Sequence, residues 1–375
     1  MIIESLMDRL PDELVLVVFS FLLPSDFLIL LDVCRKWQRL ALDASLWRDK
    51  WCSVGRALKL IDKVPKEHVP HLCVAKRINE NLLLKTYPKK VLQHAQRIKD
   101  TDSGSSIHWG HMLSFLNPQC LTHLDLRGSS PLFPKNVLWN VWETAKTAVF
   151  PHLKQLTVHV PLKCPDDIHR FLFFIRMAAQ APLLEEWCVL GDEEATPDFY
   201  ERFELVMRDH PWWPASFPSL KRLTITCNPP FDYFPPCPVL QELTCYNPYF
   251  SWLLWLPPTM THLNFAIVPL AMVNHWLKNF PRLTTCTFKS ILGMGALHVP
   301  VSPVLTELNM GRVMYDFSWE PVLETGTVRT FSMDNTFDGE MAHAIEDTLK
   351  AYADKHGLSV YHDLCLGFHP FKPNQ

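Results

Sequence analysis

The stretch from residue 8 to residue 48 reads DRLPDELVLVVFSFLLPSDFLILLDVCRKWQRLALDASLWR, and it decides the fold of the start of the chain. The acidic pair Asp12–Glu13 lies where a helix macrodipole favours negative charge, at the beginning of a helix. The run Leu14–Leu23 that follows is apolar nearly all round, so the predicted helix needs partners on more than one face. Pro24 is expected to end this helix, and the following Ser25–Asp26 pair is expected to cap a second one.

This segment offers more apolar surface than so short a module can bury by itself. This surplus of apolar surface favours a docking module. The alternative interpretation is the first helical hairpin of an ordinary α domain. The residues that resemble a known family are Leu10–Pro11, Leu14–Leu23, Pro24–Ser25–Asp26, Cys34, Trp37 and Leu46–Trp47. With them the segment resembles an F-box, the helical module that docks onto the Skp adaptor of cullin-type ubiquitin ligases.

The resemblance also implies which side chains face the adaptor. Some of them are expected to be internal to the module instead. Trp37 and Leu40 are predicted to belong to the core of the module. The candidate adaptor-binding residues are Leu10, Pro11, Leu14, Val17, Phe21, Leu22, Leu46 and Trp47.

From residue 121 onward a pattern of the form apolar-x-x-apolar-x-apolar returns nine times. It starts at Leu121, Leu153, Leu184, Leu220, Leu240, Met260, Leu283, Leu305 and Val328, at intervals of 32, 31, 36, 20, 20, 23, 22 and 23 residues. Prolines before most units discourage helix there. Because no single unit can bury its apolar face, the pattern predicts short strands that stack on their neighbours, with helices inserted in the longer early units.

This region resembles the leucine-rich repeats found behind an F-box in one large class of substrate adaptors. The asparagine that usually follows the strand appears clearly once, at Asn228, so an irregular array is expected. The predicted fold class is α/β: a small all-α F-box module, then an irregular leucine-rich-repeat solenoid. Parallel β-structure is expected on its concave face, with helices and loops outside.

Alternation along each predicted strand places the candidate substrate contacts. If positions four and six of each unit point inward, positions three, five and seven line the concave face. That face is polar and of mixed charge, which suits a protein partner. The candidate substrate-binding residues are His123, Asp125, Arg127, His159, Arg222, Thr224, Glu242, Tyr246, His262, Asn264, Lys289, Glu307 and Asn309.

Three parts are predicted along the chain. Residues 1–50 form the F-box module, 51–107 a basic helical connector that ends in the Ser/Gly-rich break Asp100–Ser106, and 108–375 the solenoid with a capping helix at 338–356. The connector is rich in Lys and Arg, which is typical of nucleic-acid-binding segments, but it lacks the interleaved aromatic residues of such segments. A solvated connector is therefore favoured, and a nucleic-acid partner is not expected.

Composition predicts a folded chain in a reducing compartment. With 48% hydrophobic and 20% charged residues, the chain can bury a large core. Its net charge of −3 does not favour nucleic acid or acidic membranes. Eleven cysteines without a CxxC pair indicate a cytoplasmic or nuclear protein, or both. Prolines and polar residues interrupt the longest uncharged run, so no membrane partner is expected.

The sequence predicts no catalytic machinery. It has neither a Gly-rich phosphate loop nor a GxSxG elbow. The metal-like spacings, His68-x-x-His71-x-Cys73 and His108-x-x-His111, each supply at most three ligands where structural zinc takes four. No cofactor and no metal are expected, and an enzyme would require a site hidden in the inserts near 127–150 and 190–216.

Three functions are compatible with these patterns. The favoured one is a substrate-recognition subunit of a Skp–cullin–F-box ubiquitin ligase, which binds the Skp adaptor and, through it, the cullin, and holds a protein substrate while partner enzymes transfer ubiquitin. A second is a non-catalytic repeat scaffold that binds a partner without directing ubiquitination. A third is an RNA- or acid-binding repeat protein that uses the basic connector, for which salt-dependent binding would be diagnostic.

Overall fold

The structure is a computed structural model that describes residues 9–47, 50–53, 71–74, 93, 95–100, 116–127, 149–160, 166–191, 216–226, 234–246, 253–254, 256–313, 317–334, 340–362 and 365–370. They form a mixed α/β protein with a small helical N-terminal region and parallel strands. The chain divides into two compact units. The first comprises residues 1–161 and 165–184, and the second 162–164 and 185–375. No helix in the described ranges is long and apolar enough to cross a membrane.

Four short helices of the N-terminal module lie within the described residues 9–47. Val15 and Phe19 lie one helical turn apart on the first helix, and both are buried. Phe27 and Leu40 of the next helices are buried as well. The helices are α1 (Asp12–Ser20), α2 (Pro24–Leu30), α3 (Arg35–Ala41) and α4 (Ala44–Trp47).

Pro24 begins the second helix, which corrects the prediction that it ends the first. The first helix already stops at Ser20. A proline is well placed in the first helical turn because the missing N–H has no partner there in any case. Asp26 lies inside the helix, where its carboxylate accepts a hydrogen bond from the Leu23 N–H at 3.0 Å. The predicted Ser25–Asp26 cap was therefore wrong by two to three residues, since Leu23 is the N-cap.

The first unit continues with five strands that pair in parallel, each with the next along the chain. They are β1 (Cys52–Ser53), β2 (His71–Val74), β3 (Arg97–Asp100), β4 (His123–Leu126) and β5 (Gln155–His159). A helix, α5 (Asp166–Ala179), follows β5, in one of the longer early intervals of the pattern where the sequence predicted an inserted helix.

The described part of the predicted helical connector is strand, not helix. β2 and β3 lie within residues 51–107, and β3 pairs with β4 across the predicted boundary at residue 107. The prediction failed because Asp100 occupies the inward position where the repeat pattern demands an apolar residue. Asp100 is nevertheless buried, at 3% exposure.

In the described ranges of the second unit, nine strands lie in one sheet and two more form a separate ribbon. The sheet strands are β6 (Glu186–Leu190), β7 (Arg222–Ile225), β8 (Glu242–Cys245), β9 (His262–Pro269), β10 (Thr285–Leu292), β12 (Glu307–Val313), β14 (Thr330–Asp334), β15 (Leu358–His362) and β16 (Cys365–Pro370). From β6 to β14 neighbouring strands are parallel, whereas β16 runs antiparallel to both β14 and β15. The ribbon pairs β11 (Gly295–Ala296) with β13 (Phe317–Ser318).

Helices in this unit lie between the strands. α6 (Leu270–Asn279) joins β9 to β10, and its buried Trp276 stacks on Phe265 with ring centroids 4.6 Å apart. A 3₁₀ helix spans Glu320–Thr325 before β14. The predicted C-terminal helix is present as α7 (Glu340–His356). It ends at Gly357, whose φ of +64° belongs to the left-handed region that glycine favours at helix C-termini.

A proline turn precedes most of the parallel strands and explains their start. In Phe217-Pro218-Ser219-Leu220, the Leu220 N–H donates to the Phe217 carbonyl at 3.4 Å, with the proline at the second turn position that it favours. The same backbone bond occurs at Leu153, Leu184, Leu240, Met260 and Leu283. Each turn therefore places the first apolar residue of its pattern repeat in the core.

One carbonyl at the start of each strand fixes the register of the next. The Thr261 carbonyl accepts hydrogen bonds from the N–H groups of both Thr284 and Thr285, at 2.8 and 3.1 Å. The carbonyls of Gln96, Thr122, Glu185, Lys221, Gln241, Thr284 and Thr306 do the same for the strands that follow them. Equivalent residues of neighbouring strands therefore align, and buried and solvent-facing positions form continuous rows.

Candidate functional site

One face of α1 presents apolar side chains to solvent. Leu14, Val17, Val18 and Phe21 follow the spacing of a helix face, and their exposures are 51%, 54%, 43% and 81%. We call these four residues the exposed stripe. Leu23 and Ile29, at the start and in the second turn of α2, are exposed as well. Large apolar residues are normally exposed singly, so such a group indicates an interaction surface.

The opposite face of α1 is fixed by aromatic packing inside the module. Phe19 meets Trp37 edge to face, with centroids 5.4 Å apart. The Trp47 ring lies 4.8 Å from that of Phe27, and its Nε1–H donates to the Ala41 carbonyl at 2.9 Å. Because the buried face is held by these contacts, the exposed stripe cannot turn inward. Packing of Trp37 on Phe19, together with the burial of Leu40, agrees with the prediction that both belong to the core.

Charged side chains bind the ends of α1. Lys50 Nζ donates to the carbonyls of Ser20 and Leu22, at 2.7 and 2.5 Å, where the helix leaves carbonyls without intrahelical partners. At the other end, Asp12 forms an ion pair with Arg39. The hydrogen bond from Arg39 holds the pKa of the Asp12 carboxyl below its ordinary value. These contacts orient the exposed stripe relative to the following helices.

The structure separates the eight candidate adaptor-binding residues into two groups. Pro11, Leu14, Val17 and Phe21 are exposed, and Leu10 and Leu22 are half-buried. Leu46 and Trp47 are buried, at 5% and 1% exposure, because they fill the core behind α2. Helical spacing also adds three exposed apolar residues that the sequence interpretation missed: Val18, Leu23 and Ile29.

This geometry agrees with the comparison of the chain with known families. Residues 7–53 match the family model described as F-box-like. The chain therefore carries an F-box-like domain at its N-terminus, and this domain supports binding of a Skp-type adaptor. The match contains all four helices of the module and extends to the first strand.

The second candidate surface is the solvent-facing side of the parallel strands, which we call the outward face. In β6 to β14 the residues at positions four and six of each repeat of the apolar pattern are buried. The residues at positions three and five are partly or fully exposed. None of the thirteen candidate substrate-binding residues is buried, as alternation predicted. Thr157 in β5 is the described outward residue that breaks the rule, since its exposure is 4%.

In the second unit the outward residues form rows that run across the register of the strands, and two of these rows are continuous. The row at position three begins Glu186, Arg222, Glu242, and Arg222 Nε binds Glu186 Oε1 at 2.7 Å. This hydrogen bond raises the pKa of Arg222, and Glu242 and Glu185 add to the effect. The row at position five consists of uncharged residues: Cys188, Thr224, Thr244, Asn264, Thr287, Asn309 and Ser332.

Several candidate residues are brought together within these rows. Asn309 Nδ2 donates to Glu307 Oε1 at 2.7 Å, and its Oδ1 accepts from Ser332 at 2.7 Å. Lys289 reaches across a neighbouring strand to Tyr246, with Nζ 3.0 Å from the phenolic oxygen. Fixed polar groups at regular spacing can bind the backbone and side chains of a protein partner without a deep pocket.

In the first unit the outward face is more basic. Arg127 binds Asp125 through two nitrogens, with Nε 3.0 Å from Oδ1 and Nη2 2.6 Å from Oδ2. On the preceding strand, Arg97 and Lys99 occupy the same positions as His123 and Asp125. These two cations were not among the predicted site residues, because the strand that carries them was predicted to be helix.

Within the described ranges, no three His, Cys, Asp or Glu side chains are grouped so as to hold a metal ion. His68, His108 and His111 of the metal-like spacings lie outside those ranges, as does most of the inserts at 127–150 and 190–216. His71 and Cys73 lie on β2.

Proposed function

We propose that this chain is a substrate-recognition subunit of a Skp–cullin–F-box ubiquitin ligase. The exposed stripe on α1, within the F-box-like domain, is the observation that carries the proposal. The F-box-like domain binds a Skp-type adaptor and through it the cullin, while the outward face binds a protein substrate. The chain performs no chemistry itself, and partner enzymes transfer ubiquitin to the substrate that it holds at high effective concentration.

For the adaptor surface, we assign Leu10, Pro11, Leu14, Val17, Phe21 and Leu22, with Val18, Leu23 and Ile29 beside them. Removal of large apolar side chains from water contributes about 25 cal/mol per Å², from which the entropic and desolvation costs of association are subtracted. Leu46 and Trp47 support that surface from the core. The edge-to-face and tilted aromatic contacts behind α1 keep it preorganised, so little conformational entropy is lost when the adaptor binds.

For the substrate surface, we propose that the strands belong to a leucine-rich-repeat array. The proline turns, the shared carbonyl at each strand start and the in-register burial pattern support this. Such an array presents a continuous row of side chains that a folded or extended protein can contact at many points. Threonine, asparagine and paired charges there favour hydrogen bonding over apolar contact. A cytoplasmic or nuclear location is part of the proposal, and it is consistent with the six described cysteines that form no disulfide bond.

The test is capture of the Skp adaptor and the cullin by the intact chain. A Leu14→Glu/Val17→Glu variant introduces two charges into the exposed stripe and is expected to weaken adaptor capture by about 100-fold. The matched control is Val299→Glu/Val301→Glu, since these two valines are exposed to a similar degree, 48% and 52%, in the second unit. The control is expected to bind like the wild type.

Failure of the wild-type chain to capture the adaptor would overturn the proposal. So would equal weakening by both variants, because the effect would then not depend on the exposed stripe. Capture of the adaptor without assembly of the cullin ligase would instead support a scaffold that binds a partner without directing ubiquitination.

A further inference from the structure

Two cations of β3 share one aromatic ring. Lys99 Nζ lies 4.2 Å from the ring centroid of Trp51, and the guanidinium carbon of Arg97 lies 5.7 Å from it. Arg97 and Lys99 are separated by one residue on the strand, so both side chains project from the outward face. Like charges repel at this separation, and the negative face of the indole ring offsets part of that repulsion.

Neither cation has an acidic partner among the residues that the structure describes. Asp125, which is in register with Lys99, is already bound by Arg127. The Nε atom of Arg97 is buried and has no hydrogen-bond acceptor within the described part of the chain. A buried donor without an acceptor is costly, so the chain leaves the Arg97 guanidinium incompletely satisfied. The Nε atom is out of reach of a ligand, but the side chain as a whole is half-buried, so an anion can bind the guanidinium from its solvent side.

We propose that the outward face around Trp51, Arg97 and Lys99 binds an acidic segment of a protein partner. The inference rests on the proposed function, because that partner is then the substrate that the ligase recruits. The carboxylates bind Arg97 and Lys99 from alternate residues of an extended peptide. Alternate residues of an extended chain lie about 6.6 Å apart, which equals the separation of two alternate residues on β3.

The contacts of Trp51 favour a peptide over a nucleic acid. A base-stacking platform needs a free aromatic face, whereas this ring is already in contact with two cations. On the next strand Asp125 is already paired with Arg127, so the unpaired positive charge of β3 does not continue across the sheet as a phosphate backbone would require. An acidic peptide that runs along β3 needs no such continuation. Trp51 acts as a positioning residue, because it holds the two cations in place before the ligand arrives.

The test measures binding of short fluorescent probes to the full chain. The probe is a dodecapeptide of alternating Glu and Ser, and the reference peptide has Gln in place of Glu. Arg97→Gln/Lys99→Gln is expected to weaken binding of the acidic peptide by about tenfold. The matched control, Lys278→Gln/Arg282→Gln, removes the same charge from two exposed positions of the second unit and is expected to leave binding within about twofold. The charge-preserving Arg97→Lys/Lys99→Arg variant is expected to retain most of the affinity.

Equal binding of the Glu and Gln peptides by the wild type would overturn the proposal. Equal weakening by the variant and its control would also overturn it, since long-range charge would then explain the result. Tighter binding of a twelve-nucleotide oligouridylate with the same dependence on Arg97 and Lys99 would identify a nucleic-acid surface instead. Capture of the Skp adaptor is measured on the same samples. Peptide binding without adaptor capture would refute the ligase role alone, whereas adaptor capture without peptide binding would refute the acidic-segment site alone.

Discussion

Gly311 lies so close to Lys289 that an added Cβ atom would fall 2.1 Å from the Lys289 carbonyl oxygen and 2.9 Å from its Cα atom. At this point β10 and β12 depart from strict alternation, since two consecutive residues of each strand are not buried. We predict that Gly311→Ala destabilises the second unit by about 3 kcal/mol, because the two backbones must separate. Hydrogen exchange of peptides from the two strands in the full chain measures the effect.

The control separates backbone from side-chain contacts. The clash involves main-chain atoms of Lys289, so truncation of its side chain cannot relieve it. Lys289→Ala alone is expected to cost less than about 1 kcal/mol, since the side chain is exposed. The double variant should be at least as unstable as Gly311→Ala. Recovery of wild-type protection in the double variant would show that this explanation is wrong.

Phe19 and Phe21 are two residues apart and have opposite environments. Phe19 is 1% exposed and packs on Trp37, whereas Phe21 is 81% exposed. Phe19→Ala is expected to destabilise the N-terminal module by about 4 kcal/mol. Phe21→Ala is expected to change its stability by less than about 0.5 kcal/mol, yet to weaken capture of the Skp adaptor. Hydrogen exchange of α1 reports stability, and comparable loss of protection in both variants would contradict the burial pattern.

The nine strands of the repeated apolar pattern, β4 to β10 with β12 and β14, could be predicted from the sequence because in most of them two independent signals coincide. An apolar triplet sets the buried positions, and a proline sets the turn that precedes it. β3 lacks both signals, since Asp100 replaces the third apolar residue and Gln96 follows Ala95 without a nearby proline. β2 has its proline at Pro70, inside the unit instead of before it. β2 carries the apolar triplet Val69-x-x-Leu72-x-Val74, but it was not recognised because no proline turn precedes it. Pairing with the neighbouring strands identifies both β2 and β3.

The adaptor surface was predictable in part. The all-apolar helix indicated that one face packs in the module and another binds a partner. It did not indicate which residues lie on which face. Val15 and Phe19 face inward because aromatic residues of later helices meet them, and that contact depends on tertiary structure. The resemblance gave Leu46 and Trp47 as candidate contacts, and the fold places both in the core. Alternation was sufficient for the outward face of the strands, since every second side chain of a paired strand points the same way.

Thr284 and Thr285 are adjacent and differ in their hydrogen bonds. The Thr284 hydroxyl donates to the Thr261 carbonyl at 2.9 Å, at the start of β10. Thr285 is on the outward face and has no side-chain hydrogen bond to any described residue. Thr284→Val is expected to lower the free energy of unfolding by about 1 kcal/mol, and Thr285→Val by less than about 0.5 kcal/mol. Denaturant unfolding of both variants tests the difference, and equal effects would refute a role for the hydroxyl.

Two buried thiols of the second unit provide a test of its core. Burial raises the pKa of Cys237 to about 12 and also raises the pKa of Cys286. Because the thiolate is the reactive form, both are expected to react with iodoacetamide at pH 8 on the order of a hundredfold more slowly in the folded chain than in urea. Cys188, half-exposed on the outward face, is the internal control, and alkylated peptides are quantified by mass spectrometry.

The same shifts predict how stability depends on pH. A thiol whose pKa is raised above its ordinary value of 9.0 on folding contributes its full stabilisation below pH 9. That contribution declines as the pH rises toward 12, because the unfolded chain releases the proton first. The free energy of unfolding should therefore fall over this range, and Cys237→Ala/Cys286→Ala should reduce the slope. Rapid alkylation of Cys286 in the folded chain at the rate of Cys188 would show that the strand positions assigned to the core open to solvent.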